Sequence, residues 1–147
     1  MFSIFVDGVP APQGSKRHVG RGVLVESSKR LKPWRQHVTN EIRATHPNRL
    51  DGALVCRLCF YMPRPKAHYR AGRYAGELKP LAPVFSSKRP DVDKLTRAVL
   101  DALTMSGAIG DDAQISRLTA EKRYARHRAT CGVLIELDAI NDDNITD

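Results

Sequence analysis

Apolar residues recur at positions 95, 98, 99, 102 and 103, the stripe of an amphipathic helix, and Gly107 stands where such a helix would stop. A second helix is predicted over residues 32–45. There Trp34, Val38 and Ile42 repeat at four-residue spacing, Pro33 suits a first turn, and Pro47 closes the segment. Residues 53–62, rich in β-branched and aromatic side chains, read as the first long strand, and residues 2–6 and 23–25 as shorter ones. Residues 114–123 and 129–137 read as two strands of an antiparallel hairpin, joined by the basic turn 124–128. In the second of them Cys131, Val133, Ile135 and Leu137 share one face. Residues 8–22 read as a Pro- and Gly-bearing loop. Prolines 63, 65, 80, 83 and 90 break regular structure across residues 63–90. The elements read from the chain are therefore several strands and two main helices. Residues 1–140 form one domain, and 141–147 an acidic tail.

Composition narrows the function. The chain has 147 residues, 41% hydrophobic and 27% charged, which fits one ordinary globular domain. A net charge of +8 and a pI near 9.8 point to a polyanionic partner, with nucleic acid first. No run reaches transmembrane length, no basic amphipathic helix stands out, and the start lacks the features of a signal peptide, so no membrane partner and a cytoplasmic location are expected. Cys56, Cys59 and Cys131 read as reduced thiols. Cys56 and Cys59 have CxxC spacing, but on a strand they point to opposite faces, which favours packing over zinc. His18, His37, His46, His68 and His127 are scattered and read as surface or packing residues. There is no P-loop, so no nucleotide cofactor is expected.

The segment 63–90 carries Arg64, Lys66, Arg70, Arg73, Lys79, Lys88 and Arg89 against the single acid Glu77, with Tyr69, Tyr74 and Phe85 interleaved. Two readings stand. One is a solvated mobile loop. The other is a flexible basic arm that closes on nucleic acid, its cations on phosphates and its tyrosines on bases. On the second reading the DNA contacts fall to Lys16, Arg17, Arg64, Lys66, Arg70, Arg73, Lys88 and Arg89.

The acids are gathered elsewhere. Asp91, Asp93 and Asp101 lie on or before the main helix, and Asp111-Asp112 follow it. Carboxylates folded side by side repel unless a cation sits between them. If Asp91-Val92-Asp93 is extended, both carboxylates face one way, their Cα atoms about 6.5–7 Å apart. Oxygen-only ligands favour Mg2+ or Mn2+, and two-metal phosphodiester hydrolysis needs such a cluster. The plainer alternatives are that Asp93 caps the helix and that Arg97 pairs with Asp101 on an exposed charged stripe.

Asp91-x-Asp93-x-Leu95, Asp101-Ala102-Leu103-Thr104, Gly107 and Asp111-Asp112-Ala113-Gln114 together closely resemble the RusA family of Holliday junction resolvases, often carried by bacteriophages and prophages. Beyond residues 91–114 the likeness is one of layout. The resemblance implies an α+β fold, a small mixed β-sheet with two main helices packed on it, forming a two-fold homodimer. It also implies Mg2+-dependent cleavage of four-way DNA junctions and a metal-binding acid triad falling on Asp91, Asp93 and Asp112, with Asp111 as the neighbour open to confusion. Lys94 stands where the family commonly has asparagine, and Arg97 where it has a catalytic lysine. Arginine cannot give up its proton, so only charge stabilisation survives at that position, from Arg97 or from Lys94. The catalytic set is thus expected to be Asp91, Asp93, Asp112, Arg97 and Lys94. A broader branched-DNA or flap nuclease, and a junction-binding protein without catalysis, are the alternatives.

Overall fold

The computed structural model describes residues 1–14, 16–18, 20, 24–26 and 29–142, with only the backbone described for 16–18 and 24–26. Four strands form the main sheet: β1 (Phe2–Asp7), β4 (Leu54–Met62), β5 (Ile115–Tyr124) and β6 (Gly132–Ala139). A small antiparallel pair, β2 (Lys16–His18) and β3 (Leu24–Glu26), interrupts the loop expected over residues 8–22. Val23, placed by sequence in a strand, lies outside the described residues, as does the tail beyond residue 142. The helices are α1 (Leu31–Thr45) and α2 (Val92–Ser106).

Both helices follow their apolar spacing. Leu31, Trp34, Val38 and Ile42 of α1, and Leu95, Ala98, Val99, Ala102 and Leu103 of α2, are buried together against one face of the sheet. Gly107 ends α2 with φ of +83°, a left-handed turn that residues with a Cβ rarely adopt.

The strand order is β1-β6-β4-β5, and β5 runs parallel to β4 while β6 runs antiparallel to it. The expected β5–β6 hairpin is therefore absent, and β4 lies between the two strands. The reason is composition. β4 is nearly continuous in apolar residues and takes a central place, as does β6. β5 carries Arg117, Glu121, Lys122 and Arg123 and takes the edge, where charges discourage further pairing. A parallel pair also needs a long crossover, and residues 63–114, with α2 in their midst, supply it.

The shared face of Cys131, Val133, Ile135 and Leu137 is core, at most 2% exposed, so it offers no interface to a second chain. Cys56 is also core, and burial pushes its thiol up to about 12. Cys59, half-buried on the opposite face, is raised by the same cause.

Residues 63–90 are not a free-standing arm. Two 3-10 turns, at Lys66–His68 and Gly72–Tyr74, and an isolated bridge between Tyr69 and Leu78 give the segment its own shape. Its far end lies along the outer edge of β5. Ser86 donates its N–H to the Lys122 carbonyl at 3.1 Å, and Tyr124 donates to the Val84 carbonyl at 2.9 Å. Unpaired edge groups of β5 thereby find partners.

Candidate metal centre and nucleic-acid surface

The helix α2 begins two residues earlier than an extended Asp-x-Asp capped at Asp93 would allow. Asp91 is its N-cap, with extended backbone but no side-chain capping bond, and Asp93 already lies in the first turn. The cap expected of Asp93 thus falls to Asp91, and the two carboxylates do not share a strand face. An acid in the first turn is favoured there by the helix dipole. Asp91 meets the ammonium of Lys94 at 3.4 Å, one turn on. Arg97 is exposed and makes no ion pair among the described residues. Asp101 pairs with Arg35 of α1 at 3.7 Å, and not with Arg97, because helix packing brings α1 alongside that face of α2.

After α2 the chain turns back on itself at Asp111-Asp112. Gln114 organises this turn. Its Oε1 accepts from the N–H groups of Gly110 and Asp111 at 2.7 and 3.2 Å, while its Nε2 donates to the carbonyls of Leu50 and Gly52 at 3.1 and 3.0 Å. Asp111 accepts the Ala113 N–H at 2.8 Å, the N-cap of a short 3-10 turn over Asp112–Gln114. That bond, and then a hydrogen bond with Asp112, hold the Asp111 carboxyl below the ordinary range. The Asp112 carboxyl is raised, chiefly by hydrogen bonding with Asp111, and Asp101 adds to the effect.

Asp101, Asp111 and Asp112 line a cavity of about 330 Å³ together with Arg35. Asp91 and Asp93 lie at the other end of α2, with Asp93 roughly 12 Å from Asp101 along the axis at 1.5 Å per residue. Among the described residues of one chain, no group of three or more His, Cys, Asp or Glu side chains could hold a metal ion. The donor chemistry nonetheless fits a hard cation. Mg2+ keeps several waters and takes only one or two carboxylates with substrate phosphates, which either pair of acids can offer.

The basic residues are less uniform than sequence suggests. Arg64 is a strut: it donates to the carbonyls of Ala125 at 3.3 Å and Pro83 at 2.6 Å and lies over the Tyr124 ring at 5.1 Å. Arg70 pairs with Glu77 at 3.0 Å, and both Arg70 and Arg73 stack on Tyr74. Lys66 is exposed. The side chains of Lys16 and Arg17 lie outside the described residues. Lys88 and Arg89 are exposed beside Asp91, on the rim of a second, larger cavity.

Sequence reading missed Lys122. Its ammonium donates to the carbonyls of Lys88 at 2.6 Å and Pro90 at 2.8 Å, clamping the backbone just before Asp91. The signal was a lysine in the inward register of β5, opposite Phe60. Three of the histidines make surface or packing contacts, and the His18 side chain lies outside the described residues. His37 contacts Asp7 at 3.0 Å, His46 stacks on Phe2, and His68 meets the Tyr124 ring edge-on. No helix among the described residues is long and apolar enough to cross a membrane.

A family model described as Endodeoxyribonuclease RusA matches residues 7–137. No curated protein matches the chain.

Proposed function

Because the chain belongs to the RusA endodeoxyribonuclease family, a family of DNA-cutting enzymes, we propose that it resolves four-way DNA junctions by paired symmetric nicks, with Mg2+ as cofactor and Mn2+ as a substitute. The observation that carries this reading is the acid constellation set at both ends of one helix in a chain of net charge +8. Acids on a basic surface hinder phosphate binding unless they serve a cation.

Asp91 and Asp93 at the start of α2, and Asp112 beside its far half, would be the metal ligands, each end of the helix offering its acids to a cation together with substrate phosphates. Asp111 is the less suitable donor, because its carboxylate already accepts the Ala113 N–H. Bound there, Mg2+ supplies Lewis acidity to the phosphodiester and makes water a stronger nucleophile. Arg97, without an ion pair among the described residues, and Lys94, beside Asp91, would balance charge that builds on the phosphate. Lys122 acts on Asp91 through the backbone. Lys122→Met is expected to raise the Mg2+ concentration for half-maximal cleavage by about tenfold, the scale of outer-shell losses, with Lys122→Arg restoring much of it. Equal Mg2+ dependence in wild type and Lys122→Met would show that the clamp positions nothing.

Two matched incisions require two active sites related by a two-fold axis, and each chain supplies one set of acids. A homodimer follows, working in the cytoplasm of the cell whose DNA, phage or host, carries the junction. The test uses purified protein in Mg2+ with labelled junction, flap and linear duplex. Paired nicks at symmetric positions on the junction alone are expected. Equal cleavage of flaps would replace this reading with a broader branch nuclease, and binding without cleavage with a junction-binding protein. Light scattering that gives a monomer, free and junction-bound, would overturn the paired-nick mechanism.

A further inference from the structure

The larger cavity, about 730 Å³, opens beside Asp91 and is of the size that takes small organic ligands. Its walls come from two separate stretches of chain. Pro10, Ala11 and Pro12 of the amino-terminal loop form one side, held in place by the Gln13 N–H donating to the Lys94 carbonyl at 3.0 Å. Pro63, Pro65 and Tyr124 form the other. Proline has no N–H, so these walls present flat apolar surface with few donors. The rim is the opposite. Arg30, Lys88 and Arg89 are exposed there and make no side-chain hydrogen bond or ion pair among the described residues. Among the described residues that line it, Lys94 is the fourth cation and Asp91 the one acid, paired with Lys94.

An apolar slot with a surplus of unneutralised cations at its mouth matches a nucleotide: a base with an apolar π-face, and phosphates that carry charge. We propose that this cavity receives one unpaired nucleotide of the DNA substrate, its base between the proline walls and Tyr124 and its flanking phosphates on Arg30, Lys88 and Arg89. The inference rests on the nuclease reading and deepens it. It gives the enzyme a means of preferring branched DNA, because a base at a branch costs less to unstack than one within duplex. The slot adjoins Asp91, so the captured nucleotide would set which phosphate reaches the acids.

The test uses junctions carrying 2-aminopurine at each position flanking the branch point, bound to the full chain in EDTA so that no cleavage is needed. At one position the fluorescence is expected to change severalfold on binding wild-type protein. An abasic residue at that position should weaken binding about tenfold, as loss of one stacked base does. Ser86→Trp fills the cavity from its rim, and both effects should vanish in it, with junction binding itself weakened by about the same tenfold but not lost. Tyr124→Leu should do the same and Tyr124→Phe should not, thermal unfolding confirming that each variant is folded. A wild-type enzyme that cuts junctions in Mg2+ but shows no such position, or effects that survive in Ser86→Trp, would overturn the pocket and leave the resolvase reading intact. A responsive position on flap DNA, with no junction cleavage, would keep the pocket and remove the resolvase reading.

Discussion

Asp91→Asn, Asp93→Asn and Asp112→Asn should each reduce junction cleavage to background while leaving junction binding intact or tighter. Substituting outer-shell partners of a bound metal costs roughly 10–100-fold, so loss of a ligand itself should exceed that. Binding should hold, because each substitution removes a negative charge near phosphates. Asp111 provides the internal control. Its carboxylate caps the 3-10 turn at Asp112–Gln114, and asparagine caps nearly as well as aspartate. Asp111→Asn should therefore cut DNA at close to the wild-type rate. Gel assays of cleavage and of band-shift on the same proteins separate these effects. Normal cleavage by Asp112→Asn with loss in Asp111→Asn would mean that the ligand is the capped member of the pair. Normal cleavage by Asp91→Asn or Asp93→Asn would remove the amino end of α2 from the metal site.

The second large effect concerns stability. Gly132 opens β6 where it faces Asp7 of β1, and the Gly8 N–H donates to the neighbouring Cys131 carbonyl at 3.0 Å. A Cβ at position 132 would meet the Val6 carbonyl oxygen and, 2.6 Å away, the Phe5 ring. The ring could turn aside, but the carbonyl belongs to the β1 ladder and could move only by breaking the pairing. Gly132→Ala is expected to cost about 3 kcal/mol, the upper range for overpacking, and to lower Tm by roughly 10 °C for a chain of this size. Differential scanning calorimetry checks it. Adding Phe5→Ala should not restore the loss. A double variant as stable as Phe5→Ala alone would identify the ring, and not the ladder, as the obstacle.

The helices and the long strand could be read from the chain because each depends on local spacing. A stripe such as Leu95, Ala98, Val99, Ala102 and Leu103 can bury itself in only one way, and Gly107 closes it with a conformation few other residues adopt. The family likeness was legible for the same reason, since residues 91–114 hold their motif in consecutive sequence, and the family match over residues 7–137 agrees with it. Pairing of strands is not local. The two strands nearest in sequence, β5 and β6, are parted by β4, because the most apolar strand competes for the centre and the charged one is left to the edge.

The same division runs through the site. Sequence alone determined which residues are candidates for the proposed chemistry: acids at Asp91, Asp93 and Asp112, and basic residues near them. Only the tertiary structure decided what each is free to do. It set Asp91 and Asp93 at the start of α2 and Asp112 beside its far half. It occupied Asp111 with a cap, Arg64 with carbonyls and Arg70 with Glu77, and it brought Lys122 from the sheet edge to hold the backbone before Asp91. Residue type and short-range spacing are properties of the chain. Whether a charge is spent on a neighbour or left for a substrate depends on contacts between segments far apart in sequence, and packing of the whole domain settles those.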